Sequence, residues 1–195
     1  MRNVAVLVGS LRKKSINKRF ANILAGLGRG RLELQTVEIG QLPMYDDDLW
    51  AEPPERVLRF KATIAEADAV LFITPEYNRS IPAVLKNAID WGSRPKGDNV
   101  WAGKPCAVVG ASPGNIGAAV AQSHLRYVAG VVDMAVLGQP EVYFSFKPNL
   151  ADEDDRIVDE STRRFLEGFI DRFARWIDLH DPERGVDARP KAVVV

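Results

Sequence analysis

From Val4 to Asn17 the sequence reads VAVLVGSLRKKSIN, and the prediction of the fold starts from these residues. The first five of them are apolar and predict a buried strand, and a helical pattern runs from Ser15 to Leu27. A strand, a turn rich in hydroxyl and amide groups, and a helix form a natural phosphate site, because turn N–H groups and the unpaired N–H groups of the helix start converge there. Taken by itself, the loop also fits an ordinary strand-to-helix turn capped by a serine.

The residue types in this loop narrow the class of phosphate. The loop lacks the GxxxxGK[ST] pattern of nucleoside-triphosphate sites and the GxGxxG pattern of dinucleotide folds. Side-chain hydroxyls in place of glycines suit a terminal phosphomonoester. Ser10, Ser15 and Asn17 can donate hydrogen bonds to it, and Arg12 can add a charge-assisted contact.

Composition sets the outer limits. The 195 residues fit one domain with a sizeable core. Because 26 basic residues balance 26 acidic ones, we expect no nucleic-acid partner and no attraction to an anionic membrane. A single cysteine fits a reducing compartment, and no run approaches the roughly 18 apolar residues of a membrane helix. We therefore expect a soluble, cytoplasmic protein without membrane insertion.

The rest of the chain alternates strand and helix patterns. Further strands are predicted at Leu32–Ile39, Ala69–Thr74, Lys104–Ala111 and late in the chain around 134–144, and further helices at Glu55–Ala67, Ile81–Trp91, Ala118–Val131 and Arg156–Leu179. Five strands alternating with five helices predict an α/β fold with a doubly wound parallel sheet. We expect residues 1–180 to form a single domain and residues 181–195 a mobile tail.

Three loops of this predicted fold share one edge of the sheet. In doubly wound sheets ligands bind outside the carboxyl ends of the strands. Besides GSLRKKSIN, this edge receives PEYNRS (Pro75–Ser80), which offers Tyr77 for stacking, and SPGNIG (Ser112–Gly117), which is small enough for a flat ring to approach. A phosphate at one end and a planar heteroaromatic ring at the other describe FMN.

With these loops in place, the chain resembles the NAD(P)H-dependent FMN reductase family, and most closely its bacterial quinone and chromate reductases. The likeness runs in unbroken order from about Val4 to Phe144. It is carried by GSLRKKSIN, LPMYDDDL (Leu42–Leu49), TPEYNRSIPAVLKNAIDW (Thr74–Trp91), WAGKP (Trp101–Pro105) and QSHLR (Gln122–Arg126). TPEYN followed by LKNAIDW is the most specific of these motifs.

The resemblance implies a flavodoxin-like five-stranded parallel sheet of order 2-1-3-4-5, with helices on both faces and tightly bound FMN. It also implies a homodimer or homotetramer, with Arg126 at a position tied to tetramer contacts. The implied cofactor-binding residues are Ser10, Arg12, Ser15, Ile16 and Asn17 at the phosphate, Pro75, Glu76, Tyr77 and Asn78 along the isoalloxazine ring, and Ser112 with Gly114 at its other edge.

The implied activity is ping-pong, two-electron reduction of quinones by NADH or NADPH, with chromate, azo and nitro compounds as further candidate acceptors. The cofactor carries the chemistry in such enzymes, which accounts for the lack of a nucleophile–base set in the sequence. Arg79, a departure from the family pattern, is a candidate for attracting the pyridine nucleotide. Glu76 is a candidate proton donor or, by preference, a partner that orients the ring.

Two other functions share this fold. A flavodoxin-type electron carrier would bind FMN without substrate chemistry, although the balanced charge disfavours an acidic docking surface. A non-flavin binding module would take up no FMN. No metal site is expected, since the consecutive carboxylates Asp46, Asp47 and Asp48 cannot all face one ion. The sequence leaves the physiological acceptor and the choice between NADH and NADPH open.

Overall fold

The computed structural model describes residues 1–181. Strands and helices alternate along the chain, as the sequence patterns predict. They are β1 (Arg2–Val8), α1 (Ile16–Gly28), β2 (Leu32–Thr36), α2 (Glu55–Glu66), β3 (Ala69–Ile73), α3 (Ala83–Gly92), β4 (Pro105–Ser112), α4 (Ala119–Val131), β5 (Ala135–Val136), β6 (Val142–Ser145) and α5 (Glu160–Leu179), with a 3₁₀ helix at Asp47–Ala51. Residues 182–195, nearly all of the expected mobile tail, lie outside the described residues.

The strands form one parallel sheet of order β2-β1-β3-β4-β5, which confirms the predicted topology. The fifth position is shared by two short segments. β5 pairs with the start of β4 at Pro105 and Cys106, whereas β6 pairs with its later part from Val109 to Ser112. The Gly138-Gln139-Pro140 turn separates the two segments, so the late strand expected around 134–144 is present but interrupted.

Helices cover both faces of the sheet. Side chains of β1 alternate between two cores: Val4, Val6 and Val8 pack toward α1 and α5, and Ala5 and Leu7 pack toward α2, α3 and α4. Every residue of β3 is buried, because a central parallel strand is covered on both sides. Within the described part of the chain, no helix combines the length and apolar character needed to cross a bilayer.

Several element boundaries differ from the sequence prediction. β2 ends at Thr36 rather than Ile39, since it is an edge strand that pairs only with β1. α5 begins at Glu160 rather than Arg156, because Asp159 accepts a hydrogen bond from Thr162 N at 2.7 Å and caps the helix there. A local side-chain acceptor therefore set this helix start, where apolar spacing had suggested a longer helix.

Helical spacing predicts an apolar face in the second helix and an aromatic stripe in the last, and both predictions are partly wrong. The predicted residues are Val57, Leu58, Phe60, Ile64 and Ala65 for the face, and Phe165, Phe169, Phe173 and Trp176 for the stripe. In α2, Leu58 is 47% exposed, and Ala65 is exposed as well. The buried face follows the spacing Val57, Phe60, Lys61 and Ile64 instead. The Lys61 ammonium reaches the carbonyl oxygens of residues 94 and 98 while its stem lies along the core, so a charged residue occupies a position that hydropathy assigns to solvent. In α5, Phe165 of the predicted aromatic stripe is likewise exposed.

Candidate functional site

Three loops meet at the carboxyl edge of the sheet: the first loop (residues 9–15) after β1, the second (74–82) after β3 and the third (112–118) after β4. They are neighbours because β1, β3 and β4 are adjacent and parallel. Gly9 N donates to Ile73 O at 2.9 Å. A Cβ at Gly9 would fall 3.2 Å from both Pro75 Cδ and Pro82 Cγ. The first and second loops are therefore packed directly against each other.

The hydroxyl groups of the first loop lie where a helix begins. Ser10 and Ser15 are each 5% exposed. Ser15 Oγ accepts hydrogen bonds from Asn17 N at 3.2 Å and Lys18 N at 3.4 Å, so the serine-capped turn is confirmed as local structure. Ser15 Oγ acts only as an acceptor in these capping bonds. Its O–H is therefore still available to donate a hydrogen bond to an anion. The half-buried Ile16 is the first residue of α1.

Asn17 connects the first loop to the third. Its Nδ2 donates to Ala111 O at 2.9 Å, and its Oδ1 accepts from Ala111 N at 3.0 Å. The residue is 2% exposed. Both ends of the amide therefore bind the backbone of β4, and this side chain holds the start of α1 against the strand that carries the third loop.

Positive charge accumulates beside the first loop without a partner. Arg12, Lys13, Lys14 and Lys18 are all exposed, and none of them forms an ion pair with any residue in the range 1–181. The sequence from Gly9 to Lys18 contains no carboxylate. Four unpaired cations next to a helix N-terminus create a local field that suits a phosphate.

The second loop is a tight turn that presents an aromatic ring. Tyr77 and Ser80 exchange both backbone hydrogen bonds at 3.0 Å, and between them Asn78 and Arg79 have φ values of 51° and 62°. Asparagine adopts this left-handed conformation readily, whereas for arginine it costs about 1–2 kcal/mol. The turn leaves Tyr77 50% exposed at the edge of the sheet.

Glu76 joins the second loop to α4. Its Oε2 accepts from Val120 N at 3.0 Å and Ala121 N at 3.2 Å, and its Oε1 lies 3.0 Å from Arg79 Nη1. α4 has no cap of its own, because Ala118 precedes it in a left-handed conformation. The carboxylate therefore caps a helix from 44 residues upstream, a role the sequence did not reveal. Arg79, the candidate for attracting the nucleotide, is its ion-pair partner.

The third loop is organised by its first residue. Ser112 Oγ donates to Gly114 O at 3.0 Å and accepts from Gly117 N at 3.1 Å. Gly114 is exposed, and a Cβ placed on it would have no neighbour closer than Ser112 Oγ at 4.0 Å. Open space therefore lies beside the loop, as the approach of a flat ring requires.

Gln122 supports the third loop from within the core. It is fully buried, and its Nε2 donates to Gly117 O and to Val142 O, each at 2.9 Å. Sequence reasoning gave this residue no role. A signal existed, because Gln122 shares the helical spacing of the buried residues Leu125 and Ala129 on α4, and a polar side chain on such a face needs internal partners.

Two other residues of the QSHLR motif make contacts within the chain. Arg126 Nη1 donates to Leu137 O at 2.7 Å and Nη2 donates to Val108 O at 3.1 Å, so this guanidinium holds α4 to the sheet. His124 Nδ1 lies 3.2 Å from Ser80 Oγ and links α4 to the second loop.

The consecutive aspartates and the single cysteine show no arrangement for metal binding or thiol chemistry within the described residues. Among residues 1–181, no group of three or more His, Cys, Asp or Glu side chains is arranged to hold a metal ion. Asp46 caps the 3₁₀ helix by accepting from Asp48 N at 3.1 Å, and Asp47 accepts from the Tyr45 hydroxyl at 2.7 Å. Burial raises the pKa of the Cys106 thiol to about 12, which makes it a poor nucleophile.

Comparison with known proteins places this arrangement in a family. Residues 2–149 match the family model described as NADPH-dependent FMN reductase. The chain belongs to this family. It is accordingly an oxidoreductase that carries FMN and uses a reduced pyridine nucleotide as its electron donor.

Individual relatives agree over nearly the whole chain. The chain is 48% identical over 174 residues to a 2-hydroxy-1,4-benzoquinone reductase from a Burkholderia species, covering 89% of this chain and 95% of the relative. It is 49% identical over 179 residues to a quinone reductase from Pseudomonas putida, covering 91% and 96%. The solved structure of FerB, a flavoenzyme NAD(P)H:(acceptor) oxidoreductase from Paracoccus denitrificans, matches with a TM-score of 0.91 at 50% identity, covering 92% and 99%.

The residues present at the carboxyl edge fit FMN. The buried hydroxyls and unpaired cations of the first loop suit its phosphate, and the open space beside Gly114 with the exposed ring of Tyr77 suits its isoalloxazine.

Proposed function

We propose that this protein is an FMN-dependent NAD(P)H:quinone oxidoreductase, with the phosphate of FMN at the first loop and the ring between the second and third loops. One observation carries the proposal: the three loops are joined to one another at the carboxyl edge. Gly9 packs on Pro75, Asn17 bonds to Ala111, and Glu76 bonds to the start of α4. Loops fixed in this way form a preorganised surface for a single elongated ligand.

At the phosphate end, we assign direct contacts to Ser10, Ser15 and Arg12. The two serines are buried beside the start of α1, where a hydroxyl donor would reach an anion held at the helix N-terminus. Arg12 is exposed and unpaired within residues 1–181, so its guanidinium is available for a charge-assisted hydrogen bond. Ile16 contributes as the first residue of α1, and Asn17 acts by positioning that helix.

At the ring end, the backbone from Pro75 to Asn78 would line one edge and Ser112 with Gly114 the other. FMN, when bound, supplies the hydride-accepting and electron-donating chemistry. The chain orients the ring: Glu76 keeps the second loop against α4, and Ser112 keeps the third loop folded. Donor and acceptor would occupy the same exposed face beside Tyr77 in turn, which is the basis of ping-pong kinetics.

Quinones are the acceptor class we propose first, because the relatives at 48% and 49% identity are named as quinone reductases. Chromate, azo and nitro compounds are further proposed acceptors. An open reducing face has no covalent selectivity of its own, so an oxidant of suitable potential that reaches the exposed face beside Tyr77 would be able to take electrons there.

We also propose a homodimer or homotetramer in the cytoplasm. A groove of about 550 Å³ between α3 and α4 is lined by Ile81, Ala83 and Val128, and Tyr127 beside it is 76% exposed. An exposed apolar surface of this kind favours association of copies. Because Arg126 already bonds within the chain, its replacement would test folding as well as assembly. The single buried thiol of Cys106 is compatible with a reducing compartment.

An anaerobic titration tests the proposed function. The purified protein is titrated with NADH and separately with NADPH while the flavin absorbance is recorded, and benzoquinone is then added. We expect bleaching by a reduced pyridine nucleotide and full recovery of the absorbance with benzoquinone. A flavin that stays oxidised with both donors would identify an electron carrier, and a colourless protein that takes up no FMN would contradict the proposal entirely.

A further inference from the structure

A second concave surface adjoins the phosphate site. A groove of about 380 Å³ opens between the first half of α1 and the segment that follows β2. Apolar side chains of Val8, Ala21 and Ile39 form its floor, and Lys13, Lys18 and Glu38 stand at its rim. Its volume falls within the roughly 300–1,000 Å³ range of small-molecule sites. Ser10 lines the groove as well, so the groove begins where the proposed phosphate site ends.

The first loop supplies an apolar wall for this groove. Leu11 lines it and is 53% exposed. The side chain lies across Gly40, where an added Cβ would fall 2.6 Å from Leu11 Cδ2. The first loop and the segment after β2 therefore touch through Leu11, and the groove combines a flat apolar wall with a charged rim.

The charged side chains at the rim of this groove are mostly positive. Neither Lys13 nor Lys18 has an ion-pair partner in the described part of the chain. Glu38 is oriented by its own backbone surroundings, because its Oε1 accepts from Gly40 N at 2.7 Å. A phosphomonoester carries only about two negative charges. That charge is already balanced by the Arg12 side chain, the serine hydroxyls and the start of α1. Lys13 and Lys18 are therefore not needed to bind the phosphate of FMN.

We propose that this groove binds the adenosine 2′-phosphate end of NADPH, with adenine against Leu11 and the 2′-phosphate between Lys13 and Lys18. The inference rests on the proposed function, because it assigns the far end of the same electron donor. Neighbouring strands lie about 4.8 Å apart, so the groove beside β1 and β2 is roughly 10 Å from the ring site beside β3 and β4. The pyrophosphate linker of an extended dinucleotide spans that separation. The groove therefore makes the enzyme prefer NADPH to NADH.

The test uses probes that lack nicotinamide. Binding of adenosine 2′,5′-bisphosphate and of adenosine 5′-monophosphate to the FMN-loaded protein is measured by titration calorimetry at two ionic strengths. We expect the bisphosphate to bind at least tenfold more tightly, and higher salt to reduce that difference. Lys13→Gln with Lys18→Gln should weaken the bisphosphate tenfold or more. Lys13→Gln and Lys18→Gln should each weaken it about threefold or more when made singly, whereas Lys14→Gln, which removes one charge from a residue that does not line the groove, should change the affinity less than twofold.

A substitution of Glu38 gives a further test, and several results would contradict the inference. Glu38→Gln should tighten the bisphosphate, since it removes a carboxylate beside the phosphate; weaker NADH binding in that variant would show that the groove binds a ribose diol and overturn the inference. Equal affinities for the two probes, an effect of Lys14→Gln equal to that of the double variant, or loss of FMN from the double variant would also overturn it. If flavin bleaching by saturating NADH persists alongside such a result, only the groove assignment fails, whereas absence of bleaching rejects the proposed function itself.

Discussion

The amino ends and the carboxyl ends of the sheet use positive charge in opposite ways. At the amino ends, Arg2 Nη1 lies 3.6 Å from Asp68 Oδ1 and Nε lies 3.3 Å from Asp178 Oδ1, and the guanidinium also bonds to Asp181. The hydrogen bond with Asp181 raises the pKa of Arg2. These contacts join β1, the segment before β3 and the end of α5, so the charge of Arg2 is used to hold the fold together.

At the carboxyl ends, neutral and acidic groups hold the loops together instead. Asn17 bonds to the backbone of β4, and Glu76 bonds to the start of α4, whereas the cations of the first loop are unpaired among residues 1–181. Unpaired cations beside the start of α1 create a local field that would suit an anionic ligand, as proposed for the phosphate of FMN.

Replacement of Arg12 by alanine should have the largest effect on cofactor binding. A charge-assisted hydrogen bond is worth about 1.5–3 kcal/mol, so we expect the Kd for FMN to rise about 10- to 100-fold. The melting temperature of the apoprotein should not change, because Arg12 has no ion-pair partner in the described structure. Fluorescence titration of the apoprotein with FMN measures the first quantity, and calorimetry of the apoprotein measures the second.

Arg2→Ala is the matched variant at the opposite end of the sheet. It removes a partly exposed ion-pair cluster, for which we expect a loss of about 1–2 kcal/mol in the free energy of unfolding and no more than a twofold change in the Kd for FMN. The comparison between the two ends is wrong if Arg2→Ala loses FMN, or if Arg12→Ala destabilises the apoprotein by as much.

Two substitutions of Glu76 distinguish its role as the cap of α4 from its ion pair with Arg79. Glu76→Ala removes the acceptor of Val120 N and Ala121 N, and we expect a loss of about 2 kcal/mol in the unfolding free energy together with weaker FMN binding. Glu76→Gln retains an acceptor but loses the ion pair with Arg79, so its effect should be about half as large. Urea unfolding of the apoprotein and FMN titration measure both. If the two variants unfold like the unchanged protein, the second loop is not held by this carboxylate.

The parts of the structure that depend on local pattern were predictable. The apolar run from Val4 to Val8 and the helical spacing after Ser15 fixed a strand and a helix, and strand order then brought the three loops to one edge. These predictions succeed because the spacing of apolar residues records which faces of an element are buried: one face for an amphipathic helix, both faces for a continuous apolar strand. The division of the last strand into β5 and β6 could not be predicted in this way, because the two residues of β5 are too few to show a pattern.

The parts that depend on distant partners were not predictable. Asn17 bonds to a residue 94 positions away, and Glu76 caps a helix 44 positions away. Lys61 is buried because two backbone carbonyls more than 30 positions away accept from it. The sequence names the side chain in each case, but its partners are backbone N–H and C=O groups, which every residue carries and no pattern distinguishes.

The smallest effect is expected for a substitution of Asp159. This residue caps the start of α5, whereas Arg2 contacts the other end of that helix. The Asp159 carboxylate accepts from the Ser161 hydroxyl at 2.6 Å and from Thr162 N at 2.7 Å, and these bonds lower its pKa from 3.8 to about 2. The folded state therefore releases this proton more readily than the unfolded state does. The resulting stabilisation is complete above about pH 4 and disappears as the pH falls through about 2.

Asp159→Asn keeps a capping oxygen but removes the titration. Between pH 5 and pH 2, the free energy of unfolding should consequently fall more steeply for the unchanged protein than for the variant, as measured by urea unfolding of the apoprotein at each pH. The Kd for FMN at neutral pH should be the same for both, because this charge is already used within the chain, as at the amino ends. Parallel pH profiles would mean that the cap is not formed in solution. A weaker FMN complex would mean that structural and ligand-binding charges at this edge are not separate.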